Sequence, residues 1–256
     1  MTIRTLPAFL SFALACGTVA AGERASCSRA SAAHSPRLIE LYTSEGCSSC
    51  PPADRWLATL DASAGVVPIA LHVDYWDDIG WVDRFGDPRF GRRQSQLVAR
   101  AGGRTVYTPQ VFVDGREWRD WYRGGAAPRA GADAPPALRV TADADVADRR
   151  HWHVIATLDR AAADWQVNVL ATEDAVQTEV RAGENRGKTL QHRHVVRAWA
   201  GPAASGQAAQ IALPADVEPQ QAALVVFAER RDTGAIGSVV RLALDACTGA
   251  AERRGP

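Results

Sequence analysis

Tyr42-Thr43-Ser44-Glu45-Gly46-Cys47-Ser48-Ser49-Cys50-Pro51-Pro52 joins an apolar run to the start of a helix, with two cysteines at the junction. Upstream, Leu38 to Thr43 reads as a short strand interrupted by Glu40. Ser44-Glu45-Gly46 turns the chain. Pro51 and Pro52 suit a first helical turn, where a missing N–H group costs nothing. Trp56, Leu57 and Leu60 recur at helical spacing, so the helix is expected to reach Ala62, before Gly65.

A cysteine pair in this position suits dithiol chemistry. Cys47 would lie at the helix N-terminus, where free N–H groups and the helix dipole favour a thiolate. Cys50, one turn in, is placed to resolve a mixed disulfide. Two other readings stay open, a structural disulfide and a soft-metal clip for Cu(I) or Zn(II). A four-cysteine zinc site is excluded, because the chain has no second CxxC.

Further along, Val66 to Tyr75 is apolar on both faces, as a covered central strand would be. Residues 76–88 are an irregular mixture of Trp, Asp and Gly. Pro88 to Ala101 reads as a helix with Phe90, Leu97 and Val98 on its apolar side, stopped by Gly102-Gly103. Val111 to Val113 is strand-like, and Asp114-Gly115 is a hairpin turn. Pro109 has no N–H to give a neighbouring strand, and a cis Thr108–Pro109 bond is the usual reason for such a residue. Arg119 to Gly125 is expected to form a short helix.

Ala126 to Pro136 is rich in Ala, Gly and Pro and marks a boundary. Beyond it, short alternating strand candidates follow: 138–140, 152–158, 165–171, 177–180, 194–200, 210–213, 223–229 and 236–244. In the first half, strand, CxxC, helix, strand, helix and Thr-Pro before a hairpin follow the order of the thioredoxin fold. The expectation is an α/β thioredoxin-like domain over 36–125, followed by a mainly antiparallel β, sandwich-like domain over 137–248. In that frame the loop at Thr108 and Pro109 would offer backbone groups to an extended substrate peptide.

Composition narrows the partners. The 29 basic and 29 acidic residues cancel, so nothing in the charge points to nucleic acid or an anionic membrane. Eight tryptophans against one methionine indicate a rigid aromatic core or cleft. Residues 1–21 read as a secretory signal peptide, with a short apolar run and small residues at 18–21. Leu14-Ala15-Cys16-Gly17 opens a lipoprotein alternative, with a lipid anchor at Cys16. No later segment is long and apolar enough to be a spanning helix. The expected location is periplasmic or secreted, where thiols pair. Cys47 with Cys50 then leaves Cys27 for Cys247, near opposite ends of the mature chain; the alternative is two independent or capped thiols.

The segments LIELYTSEGCSSCPPAD, LHVDYWDDIGW and TPQVFVDG, with GENRG and HRHVVR beyond, resemble the bacterial family called domain of unknown function 1223. The resemblance covers nearly all of the mature chain. It implies an exported protein with a thioredoxin-like first domain and a β-rich second one, and it implies no substrate. The likeness to thioredoxin suggests Cys47 as attacking thiol, Cys50 as resolving thiol and Pro109 as the cis-proline. The chain departs from thioredoxin at two points. Leu41 stands where that fold has its buried carboxylate, with Glu40 on the opposite sheet face, so Glu45 or an aspartate of the 74–87 loop would have to substitute. Gly46 replaces the tryptophan before the first cysteine.

Around the cysteines, His72, Asp74 and Trp76 are candidates to line a cleft, and the 76–88 loop to cover it. In the alternative, His72 is a satisfied core histidine and Asp74 caps the loop. His151 with His153, and His192 with His194, place two imidazoles on one side of a strand, which suits a metal only if the strands meet. Gly183-Glu184-Asn185-Arg186-Gly187 reads as a tight turn docking the β-rich half on the first. The expected function is thiol–disulfide exchange with envelope proteins, without a cofactor. Its alternatives are a binding module with a fixed disulfide and a copper carrier.

Overall fold

The computed structural model describes residues 24–32, 34–60, 65–124, 135–145, 147–160 and 163–249. The expected signal segment, Cys16 and residues 126–134 of the boundary stretch lie outside them. The elements, in chain order, are β1 (Arg24–Ala30), β2 (Arg37–Thr43), α1 (Pro51–Ala58), β3 (Val66–His72), α2 (Pro88–Arg100), β4 (Gln110–Val113) and β5 (Arg116–Glu117). Then come β6 (Leu138–Asp145), β7 (His151–Leu158), β8 (Trp165–Glu173), β9 (Val176–Glu179), β10 (Thr189–His192) and β11 (Val195–Ala203). The last are β12 (Ala208–Ala212), β13 (Ala222–Arg230), β14 (Ile236–Ala243) and β15 (Thr248–Gly249).

These strands form an eight-stranded sheet in the order β14-β13-β8-β11-β3-β2-β4-β5, a five-stranded sheet β12-β7-β6-β1-β15, and the β9–β10 hairpin. The large sheet is parallel where β2 meets β3 and β3 meets β11, and antiparallel elsewhere.

The expected α/β thioredoxin-like domain followed by a β domain is not what forms. Among the described residues, strands make up 44% and helix, 3-10 turns included, 15%, so the architecture is mainly β. The described residues contain two α-helices. One sheet draws strands from both sides of residue 125: β3, read correctly as a covered strand, takes β11 as its second neighbour. Hydrophobic runs locate strands but carry no record of their partners. Three smaller expectations also change. Residues 24–30, which precede the first expected strand, pair with β6 along their whole length, burying Ala25 and Cys27. Residues 119–125 hold only a 3-10 turn, Trp121–Arg123. The strand Thr189–His192 was not anticipated.

Alternation along the strands sorts the two faces of the large sheet. Leu38, Tyr42, Ile69, Leu71, Leu170, Val225 and Phe227 face α2, whose Phe90, Leu97 and Val98 pack on them. On the other face, Ile39, Leu41, Ala70 and Val111 meet Ala53 and Leu57 of α1. Farther along that face, Val167, Val169, Leu224, Val226 and Val240 pack against Leu138, Val140, Trp152 and Val154 of the five-stranded sheet. Cys27 and Cys247 form a disulfide in this second core, with Cα atoms 5.1 Å apart.

Glu40 points into the α2 face and is buried with charge partners. Arg93 of α2 grips both its oxygens at 2.7 and 2.9 Å, and Tyr42 Oη donates to it at 2.9 Å. The same guanidinium reaches both oxygens of Glu229 on β13 at 3.1 Å. Glu229 also accepts from Asn168 Nδ2 at 2.9 Å and from Arg100 at 3.2 Å. Glu229→Ala strips one carboxylate from buried Arg93, and breaking a buried pair in this way costs about 3–5 kcal/mol. Urea unfolding should show a loss of that size; a loss below about 1 kcal/mol, typical of exposed pairs, would contradict it.

Candidate functional site

The site begins where β2 ends. Ser44-Glu45-Gly46 carries the chain from the sheet to α1, and Cys47 and Cys50 are bonded to each other with Cα atoms 5.4 Å apart. Cys50 is the N-cap residue of α1, and its carbonyl accepts from Ala53 N–H at 2.8 Å and Asp54 N–H at 3.1 Å. Both cysteines are fully buried, while Ser48 and Ser49 between them are exposed. Soft-metal binding by this pair requires its reduced form, since thiolates are the ligands.

The cover comes from the second half of the chain. Asn185, itself buried, donates from Nδ2 to the carbonyls of Glu45 and Cys47, both at 2.9 Å. Glu184 Oε2 accepts from Ser48 N–H at 2.9 Å. Lys188 Nζ holds Asn185 Oδ1 at 2.9 Å, which fixes the orientation of the amide. The GENRG turn between β9 and β10 therefore acts through side chains as well as glycines. Gly183 remains steric: an added Cβ would lie 3.1 Å from Trp81 Cβ, and its φ of +70° suits glycine.

On the exposed side, Cys47 Sγ lies 3.4 Å from Ser49 Oγ, which in turn reaches Thr108 O at 3.5 Å. Thr108–Pro109 is cis, and both residues are half-buried. Trp76 Nε1 donates to Thr108 Oγ1 at 2.8 Å, and Trp76 packs on Gly46, where an added Cβ would lie 3.2 Å from Trp76 Cβ. Thr108, Pro109 and Trp76 thus gather beside the cysteine loop. Asp74 goes elsewhere, against Gly91 of α2 in a surface depression with Tyr75 and Arg92.

Beneath the loop is a buried ionisable cluster that the sequence only hinted at. His72 Nδ1 lies 2.6 Å from Asp83 Oδ2. Asp83 also accepts from Glu45 N–H at 2.8 Å and Phe85 N–H at 2.9 Å. Glu45 Oε2 accepts from Trp81 Nε1 at 2.9 Å, and its Oε1 lies 3.2 Å from His192 Nε2. The His72 and His192 rings meet edge to face at 5.0 Å, with Phe85 against both. Asp54 of α1 completes the group, with His192 and His72 as its nearest opposing charges. Among the described residues, no three His, Cys, Asp or Glu side chains are disposed to hold a metal ion. The two His-x-His pairs stay apart, since β7 lies in the five-stranded sheet and β10 in the hairpin.

Missing from the sequence reading were Asp54 and the partnership of His192 with Glu45. Asp54 did leave a signal, because it stands four residues after Cys50 on a short helix, the spacing that stacks side chains.

Burial works against charge on both His72 and Asp83, but their mutual attraction outweighs it. His72 is raised and Asp83 lowered from their ordinary values. The sign follows by linkage. The contribution of His72 is complete below about pH 6.5 and is lost as pH rises through its raised value. That of Asp83 is present above about pH 4 and is lost as pH falls through its lowered value. The stability lost in Asp83→Asn should therefore peak between those limits and shrink on both sides. Denaturant unfolding of both proteins across pH checks it; a pH-independent difference would show that the pair is not charged.

Comparison with known proteins returns two findings. A protein-family model described as "Protein of unknown function (DUF1223)" matches residues 38–229. The crystal structure of protein AGR_C_4864 from Agrobacterium tumefaciens is similar, at 22% identity and a TM-score of 0.51, covering 83% of this chain and 95% of that one. At that identity the likeness concerns the fold alone. No curated protein matches the chain. The match over 38–229 takes in the cysteine loop, its Asn185 cover and both helices, and on it the chain belongs to the DUF1223 family.

Proposed function

We propose that Cys47–Cys50 is a redox-active disulfide, exchanging with thiols or disulfides of other proteins in the cell envelope. The observation that carries this reading is a short-range bridge at the head of α1, set on a buried cluster of proton-binding groups. Its cysteines are only three residues apart in sequence, against 220 for Cys27–Cys247. On the loop-entropy account the long bridge stabilises by about 5 kcal/mol and the short one by about 2 kcal/mol. Stability is therefore a weak reason for the short bridge, and titratable groups buried together are typical of chemistry.

In the proposed reaction, a partner thiolate attacks Cys47, whose sulfur lies on the Ser49 side of the loop. Cys50 leaves, and a second thiol of the partner then displaces Cys47; in the opposite direction reduced Cys47 attacks a partner disulfide and Cys50 resolves the mixed disulfide. The α1 N-terminus favours a thiolate at Cys47. Thr108, Pro109 and Trp76 would flank the incoming chain. Envelope location rests on the leader sequence, since an oxidising compartment suits a disulfide of this kind. Reaction requires residues 46–49 to move, because both cysteines are buried at rest.

A second reading is a fixed bridge in a binding module. Full burial of the pair and the Asn185 grip on the loop favour it. Cys50→Ser separates the two. Under exchange, the purified variant captures envelope proteins as mixed disulfides through Cys47, released by reductant. Absence of such adducts, together with inertness of the native pair toward glutathione and dithiothreitol, would establish the fixed bridge instead.

A further inference from the structure

We propose that Asp54 is the proton donor and acceptor for the Cys50 sulfur, with a proton path through the cavity between α1 and β10. This rests on the exchange reading above. Cys50 and Asp54 stand at i and i+4 with helical backbone at Cys50, and the Asp54 N–H bonds to the Cys50 carbonyl at 3.1 Å. Helical side chains lean toward the N-terminus, so Asp54 lies over the turn that holds Cys50. It is 7% exposed; the buried Thr43 hydroxyl is its neighbour, and its Oδ1 makes no well-aligned hydrogen bond among the described residues. A buried carboxyl so lightly held is costly and calls for a role.

A cavity of about 150 Å³ opens beside it, lined by Pro51, Asp54, Arg55, Leu190 and His192. His192 borders the same space; its Nε2 faces Glu45 Oε1 at 3.2 Å, and its Nδ1 has no hydrogen-bond partner among the described residues. Space of that size holds several waters, and two polar walls give them partners. The charged groups facing Asp54 are His72 on β3, Asp83 on the 77–87 loop, His192 on β10 and Arg55 on its own helix, with Glu45 beyond His72 and His192. Burial raises the Asp54 carboxyl above its usual range, so it is suited to carry a proton.

The step balances as follows. A partner thiolate attacks Cys47 Sγ, the Cys47–Cys50 bond breaks, and its electron pair goes to Cys50 Sγ. That sulfur takes the proton of Asp54, because a buried thiolate is disfavoured. Water in the cavity returns a proton to the carboxylate. A second partner thiol then displaces Cys47, which leaves as the thiol with that proton. In sum, one protein disulfide and two thiols give one protein dithiol and one new disulfide. In reverse, the Asp54 carboxylate removes the Cys50 proton so that Cys50 can attack the mixed disulfide.

The test follows reduction of Cys47–Cys50 by dithiothreitol across pH, with acid quench, alkylation and mass spectrometry to separate it from Cys27–Cys247. In the wild type, the rate per dithiothreitol thiolate should fall as pH rises through the ionisation of Asp54. Asp54→Asn should be roughly a hundredfold slower where Asp54 carries its proton, and lose that inflection, while Asp54→Glu keeps it. Equal rates and profiles in the wild type and Asp54→Asn, with a reducible pair, would overturn the role of Asp54 and leave the exchange reading standing. A wild-type pair that resists dithiothreitol in the native state would overturn both. If Asp54→Asn does not fold by circular dichroism, the wild-type profile decides: an inflection supports the proposal and its absence overturns it.

Discussion

A single guanidinium holds the two halves of this protein to one helix. Arg93 projects from α2 into the face of the large sheet and divides its hydrogen bonds between Glu40 on β2 and Glu229 on β13. Those strands come from opposite ends of the chain and lie four places apart in the sheet. Two carboxylates against one buried arginine would be badly balanced alone. Arg100, Asn168 and Tyr42 supply the further donors that let both acids stay in the interior. With α2 seated this way, one face of the sheet is closed and the other is left for α1 and the five-stranded sheet.

The cysteine site has the same bipartite construction. Its cysteine loop is the turn after β2, whereas Asn185, Glu184 and His192 arrive from the β9–β10 hairpin. Neither half makes the site by itself. The loop is anchored by backbone carbonyls bound to one amide, so its cover depends on geometry and tolerates exposed serines at 48 and 49. Below the loop, acids and imidazoles alternate, His72 against Asp83 and His192 against Glu45.

Much of the local structure was legible in the sequence. The CxxC-Pro-Pro junction marked the start of α1. Asp114-Gly115 marked the β4–β5 turn, where both residues have positive φ. The apolar run at 66–75 marked β3, which ends at His72, and Gly102-Gly103 marked the end of α2. What was not legible was pairing. Residues 24–30 look too small and polar for a strand because only Ala25 and Cys27 face a core and β6 supplies the rest through main-chain bonds. Glu40 looked like an interruption because its partner, Arg93, lies 53 residues away on a helix whose apolar side seemed purely hydrophobic. His72 showed itself as a buried histidine, but Asp83, Glu45 and His192 approach it from separate elements.

By itself, the sequence determined where α1, α2, β3 and the β4–β5 turn lie, and that two cysteines stand three residues apart at the start of a helix. Those properties depend on periodicity, turn chemistry and spacing over a few residues, and short-range sterics enforce them wherever the segment lies. Tertiary structure decided that β3 would take β11 as its neighbour, so that a thioredoxin-like α/β unit does not stand apart and one mainly β sheet runs through both halves. It also decided that Asn185 would close the cysteine loop and that Asp54 would share a buried space with His192. These outcomes depend on contacts between distant segments, where burial and hydrogen-bond satisfaction select one pairing among many that local preferences allow equally.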